Sequence, residues 1–240
     1  MSDSAFTGRF LGVLGGMGPM AGAAFMVRLT ALTDAATEQQ HVPAMLWSDP
    51  RVPDRPAGYA GTGEDPFPWM LHGVRQMEQM GAGAVAIPCN TAHLWYDRLA
   101  AGTSLAVLHI VRSVVADLRR QGIAQGRIGL LGTAATLSSG LYQRELEAQG
   151  YECVLLPQED LLRYCAESIR RVKLNQTEAA FEPAAQCVRL LRRQGVDAVV
   201  LGCTELPLAL PHGLRPSLDV AVIDSIDALA RAAIAWHRGG

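Results

Sequence analysis

"AIPCNTAH", residues 86–93, and "VLGCTEL", residues 200–206, decide how this chain folds. Each is an apolar run that reaches a cysteine. Each cysteine is followed by a small polar residue and then by a stretch of helical character. An offset of 114 residues superimposes Gly81 on Gly195, Ala84 on Ala198, Val85 on Val199 and Cys89 on Cys203. Further out, "AVLH" at 106–109 matches "AVID" at 221–224 at an offset of 115, and "LGVLGGMGP" at 11–19 matches "IGLLGTAAT" at 128–136 at 117. Three separate segments that keep nearly one offset point to two copies of one unit.

The runs at 9–15, 43–47, 84–89, 105–110, 127–132, 152–156, 198–203 and 220–224 predict strands. Helical patterns fall at about 20–34, 68–80, 110–121, 138–149, 159–171, 178–194 and 225–238. This alternation predicts an α/β protein of two quasi-symmetric lobes, each a parallel sheet flanked by helices.

Composition narrows the function classes. With 240 residues, 49% hydrophobic and 18% charged, the chain can bury a sizeable core. A formal charge of −2 lacks the basic footprint of a nucleic-acid binder. Residues 10–27 carry no charge, but glycines and Pro19 break the run, so it reads as strand, loop and helix rather than a membrane span or signal core. The expectation is a soluble, cytoplasmic protein without membrane or nucleic-acid partners. The five cysteines form no C-x-x-C and no zinc-type spacing with histidine, so neither a metal site nor a disulfide framework is expected. Cys153, Cys165 and Cys187 read as small buried hydrophobes.

Cys89 and Cys203 are different. In parallel α/β sheets, ligands bind beyond the carboxyl ends of the strands. Both cysteines end strands, and both precede an expected helix start, with Asn90, Thr91 and Thr204 as capping types. A helix N-terminus offers free N–H groups and the positive end of a dipole, which lowers a thiol pKa from about 8.5 and binds carboxylates. Two such thiols suit proton exchange at a carbon: one removes an α-proton, the other returns a proton to the opposite face. Acid–base groups work best with a pKa near the operating pH. Loop N–H donors can stabilise the developing negative charge.

The chain resembles the cofactor-independent aspartate/glutamate racemases, and is most similar to the aspartate racemase branch. The resemblance spans nearly the whole length. It rests on "GVLGGMGP" at 12–19, "PDR" at 53–55 with "GTGEDP" at 61–66, "IPCNTAH" at 87–93 and "LGCTEL" at 201–206. It implies an active site in a cleft between the lobes, catalysis by Cys89 and Cys203, no cofactor, an amino-acid substrate and a homodimer. It also implies that the C-terminal segment returns to lobe one, giving residues 1–104 plus 212–240 against 105–211. By the same match Arg55 and Lys173 are cations near the substrate, and Arg55 is suited to grip a side-chain carboxylate bidentately.

Other residues stay open between two roles. Asn90, Thr91, Thr133, Thr136 and Thr204 either bind the substrate carboxylate or ammonium or cap helices. His93 either tunes the Cys89 thiol or orients its helix. Glu205 either accepts from the substrate ammonium or complements a helix dipole. Met17 and Gly18 line the pocket, while Asp49 and Asp54 shape turns. The family loop usually continues after "GGMGP" with an acidic residue and Ala-Thr; here it reads Met20-Ala21-Gly22, which leaves substrate choice open. The alternatives are a same-fold decarboxylase or isomerase of small diacids, an inactive carboxylate-binding protein, and a redox switch of Cys89 with Cys203.

Overall fold

The computed structural model describes residues 10–239, so Arg9, at the head of the expected first strand, lies outside it. The chain forms two compact units: residues up to Ile110 together with those from Leu229 on, and Val111–Ala228.

The first unit runs β1 (Phe10–Gly15), α1 (Pro19–Leu32), β2 (Ala44–Ser48), α2 (Arg55–Tyr59), α3 (Phe67–Gln79), β3 (Ala82–Ala86), a 3-10 helix (Thr91–Trp95), α4 (Tyr96–Ala101) and β4 (Ala106–Leu108). Its sheet is parallel, in the order β2-β1-β3-β4. The central strand β1 is apolar and buried over all but its first residue, as a parallel strand covered on both faces must be. Pro19 opens α1, where its missing N–H costs nothing and its fixed φ suits the first turn.

The second unit continues with α5 (Ile110–Arg120), β5 (Gly126–Gly132), α6 (Ala134–Ser138), α7 (Leu141–Glu147) and β6 (Tyr151–Val154). Then come α8 (Gln158–Asp160), a π-helical turn (Leu161–Ala166), α9 (Glu167–Lys173), α10 (Thr177–Arg193), β7 (Ala198–Gly202), α11 (Leu206–Ala209) and β8 (Ala221–Asp224). Its parallel sheet has the order β6-β5-β7-β8. The last helix, α12 (Ser225–His237), starts in this unit and passes into the first at Leu229. No helix of the described residues is long and apolar enough to cross a membrane.

The repeat holds at the level of register. Leu11 pairs with Ala84 and Ala84 with Ala106; Ile128 pairs with Ala198 and Ala198 with Ala221. These are the residues that the sequence offsets equate. Helix packing repeats too. A Cβ on Gly12 would stand 2.7 Å from the sulfur of Met77 in α3, and one on its counterpart Gly129 would stand 2.9 Å from Leu191 in α10. In both units a glycine lets one helix approach the central strand closely.

The expected boundaries need correction. Strand 105–110 does not open the second lobe, because β4 is hydrogen-bonded to β3 in the first sheet. Strand 220–224 does not complete the first, because β8 pairs with β7 in the second. The units divide at 110/111 and 228/229 instead of 104/105 and 211/212. Each sheet closes on its own four strands, and of the C-terminal segment only the part from Leu229 returns to the first unit.

Candidate functional site

In the first unit the β1 loop, the 49–55 turn and the Cys89 loop gather at the carboxyl end of the sheet. Gly16 has φ +90°, and a Cβ there would stand 2.3 Å from the carbonyl oxygen of Asp49, so only glycine lets these two segments touch. Met17, Val52 and Cys89 share one buried apolar cluster. Gly18 is half-buried. Asp49 binds Arg51 at 2.9 Å and Asp54 caps α2 through the Ala57 N–H at 2.9 Å, so both shape turns as expected.

Arg55 opens α2, which packs against the 3-10 helix after Cys89. Its guanidinium is buried, and Nη1 donates to the carbonyls of Val52 at 2.9 Å and Pro53 at 2.7 Å. Its Nε is buried without a hydrogen-bond partner, and no carboxylate of the described residues pairs with it. A buried charge without a counter-charge is costly.

Cys89, Asn90, Thr91 and His93 are all buried. The expected cap differs: Asn90 has helical dihedrals and no capping side-chain bond, and the element it leads into is a five-residue 3-10 helix. His93 Nε2 accepts the Ile110 N–H at 3.1 Å, which leaves the ring proton on Nδ1 to donate to the Cys89 carbonyl at 2.9 Å. The imidazole thus fixes the main chain of Cys89 to the start of α5. Burial, then the charge of His109, lowers its pKa to about 4, so it is neutral and positions the loop.

In the second unit Cys203 directly succeeds β7 and is buried with Thr204 and Glu205. Its Sγ donates to Glu205 Oε2 at 3.0 Å. The expected lowering of its pKa is overturned. Burial, then the Glu205 charge and hydrogen bond, push the thiol well above its ordinary value. The next helix, α11, has only four residues, and its N-cap is Glu205 rather than Thr204, so its dipole is small beside a carboxylate in contact. Cys203 therefore keeps its proton at rest, and Glu205 accepts from this thiol and from Thr204 Oγ1 at 3.5 Å. Replacing Glu205 by glutamine should lower the Cys203 pKa, because the charge that opposes the thiolate disappears. Thiolate absorbance against pH, as the difference between each protein and its Cys203→Ser form, reads this directly; an unchanged or raised pKa would count against the contact.

Thr133 caps α6, its Oγ1 accepting the Thr136 N–H at 3.1 Å, and Thr136 is wholly buried. Thr133 also lines a pocket of about 550 Å³ beyond the end of β5, and Lys173, at the end of α9, lines its far side. The described residues contain one group of metal-ligand types, His212, Asp224 and Asp227. It is organised by an ion pair of Arg215 with Asp224 at 2.7 Å and a hydrogen bond between His212 and Asp227 at 2.9 Å.

Sequence reasoning missed Tyr142 and the wider part of Cys165. Tyr142 is fully buried, is influenced by the charge of Cys203, and packs where a Cβ on Gly202 would stand, 3.1 Å from its ring. Cys165 is buried as expected, but its thiol donates to the Gly132 carbonyl at 3.5 Å and it shares a core cluster with Cys203. Neither sits near its partners in sequence, so no local signal marks them.

Residues 14–233 match the family model described as Asp/Glu/Hydantoin racemase. Among solved structures, the aspartate racemase of Picrophilus torridus is 33% identical, with 96% of this chain and 95% of that one covered and a TM-score of 0.84. The broad specificity amino-acid racemase RacX of Bacillus subtilis (strain 168) is 24% identical over 235 residues, 95% of this chain and 97% of that protein. A glutamate racemase from Francisella tularensis subsp. tularensis SCHU S4, solved with D-glutamate, shares the fold at 14% identity and a TM-score of 0.67, with 97% and 83% covered.

Proposed function

Since this chain belongs to the Asp/Glu/hydantoin racemase family, we propose that it inverts the α-carbon of an acidic amino acid by proton transfer between two thiols, Cys89 and Cys203, without pyridoxal phosphate or metal. The observation that carries this reading is the doubled site. Each unit carries a buried cysteine just beyond the end of an equivalent strand, Cys89 after β3 and Cys203 after β7, as a reaction run from either enantiomer calls for.

The roles come from the surroundings. Cys203 holds its proton against burial and Glu205, so it acts first as the acid. Glu205 accepts that proton's hydrogen bond at rest, and after the proton has gone to the substrate its charge favours reprotonation of the thiolate. Cys89 acts as base, its loop fixed by neutral His93. When the substrate has the other configuration, the two thiols exchange roles. Arg55 receives the side-chain carboxylate on the guanidinium face left unpaired. The thiol state of the cysteines suits a reducing compartment such as the cytoplasm, and a homodimer completes the reading.

The test is proton NMR in D₂O with reductant and no added cofactor, on the L and D forms of aspartate and glutamate. Loss of the α-proton signal together with optical rotation is expected for at least one acid. No exchange with any of the four would overturn the reading. Arg55→Ala should lower kcat/KM for the acidic substrate by roughly 10- to 100-fold, the worth of a charged hydrogen-bonded contact. Neutral amino acids should lose far less; an equal loss for both would remove Arg55 from side-chain recognition.

A further inference from the structure

The pocket beyond β5 is built for something other than a second carboxylate. Five large aliphatic side chains wall it: Leu137, Leu155, Leu161, Leu162 and Ile169. Leu155 is 38% and Leu162 60% exposed, large apolar groups left to water around a concavity. The π-helical turn brings the adjacent residues Leu161 and Leu162 onto the same wall, where neighbours in an ordinary α-helix diverge. Such turns recur at functional sites.

Its polar groups are one-sided. Two cations line it and no carboxylate does. Arg170 is paired with Glu167, which takes two of its N–H groups at 2.7 and 2.9 Å and also accepts from Arg171 at 2.7 Å. Lys173 is exposed and has no ion pair among the described residues, so it is the unpaired cation of the pocket. The pocket also lies close to the proposed chemistry. Its floor, Gly132, pairs in register with Gly202, the residue before Cys203, and Ile169 belongs to the same core cluster as Cys203.

We propose, resting on the racemase reading, that this pocket takes the substrate side chain and extends the range to neutral amino acids with bulky apolar side chains. The substrate carboxylate lies toward Lys173 and the Thr133 loop, and the side chain lies among the leucines. Basic amino acids are excluded, because no wall group pairs with their cation.

The experiment uses the full chain and two variants that fill the pocket, Ala166→Trp and Leu162→Trp, both at exposed positions away from the Thr133 loop so that one remains if the other fails to fold. Deuterium exchange at the α-carbon is followed for L-leucine, L-methionine, L-phenylalanine, L-lysine and L-aspartate, with binding read by saturation-transfer NMR. Exchange of the three apolar acids but not lysine is expected. The tryptophan variants should lower kcat/KM for the apolar acids by roughly tenfold or more and leave aspartate within about twofold. Exchange of aspartate without any apolar acid, lysine turning over as well as leucine, or equal loss of aspartate in the variants would overturn the proposal. If no amino acid exchanges, the racemase reading fails, and binding decides the pocket separately. A leucine signal abolished by Ala166→Trp sustains it, and no leucine signal overturns it.

Discussion

Cys203→Ser is expected to cut racemisation by roughly a hundred- to ten-thousandfold, the usual worth of a positioned acid–base group. Serine keeps the size and the hydrogen bond to Glu205, but its hydroxyl is a far weaker acid than a thiol. Cys89→Ser should fall in the same range. The informative signal is the activity that survives. With one thiol left, the enantiomer whose α-proton faces it can still exchange that proton for deuterium and take it back on the same face. Each variant should therefore wash out the α-proton of one enantiomer without inverting it, and the two variants should select opposite enantiomers. Racemisation at the wild-type rate in either variant, or the same enantiomer exchanging in both, would defeat the two-thiol mechanism.

The second large effect is on stability. His93 is fully buried with its pKa lowered from 6.5 to about 4, first by burial and then by His109. In the unfolded chain the imidazole takes up a proton near 6.5; in the folded chain it refuses one until about 4. Neutral His93 therefore contributes stability that is present above pH 6.5 and lost as pH falls toward 4. The shift corresponds to a loss of about 3 kcal/mol across that window. Urea unfolding at pH 7 and pH 4.5 should show the drop, and His93→Gln should be less stable at pH 7 yet lose less on acidification. An equal loss in both proteins would assign the acid sensitivity to other groups. The same variant should displace Cys89, because the ring holds its carbonyl.

Much of this was readable in the residues. All eight strands of the described residues were legible, because strands buried on both faces are short apolar runs bounded by glycine and helical pattern. The repeat was legible because the register that pairs Leu11 with Ala84 also pairs Ile128 with Ala198, so length differences fall between the matched strands and not within them. The helices α2 and α4 were not legible, being five and six residues long and held by tertiary packing more than by any periodicity. The π-helical turn was hidden inside a stretch that reads as one helix over 159–171. Strand membership failed for a different reason: a sequence shows that a strand exists, not which edge it joins. The Cys203 pKa failed because a dipole argument sees the backbone direction, whereas burial and the approach of Glu205 are set by the fold.

The division of the chain has a consequence for biosynthesis. The second unit is an insertion in the first, whose core includes Leu229, Ala230, Ala233 and Ile234 of α12. Four strands of the first unit leave the ribosome early, but the segment from Leu229 that belongs to the same unit is translated after the whole insert. Vectorial folding therefore favours Val111–Ala228 as the first completed body.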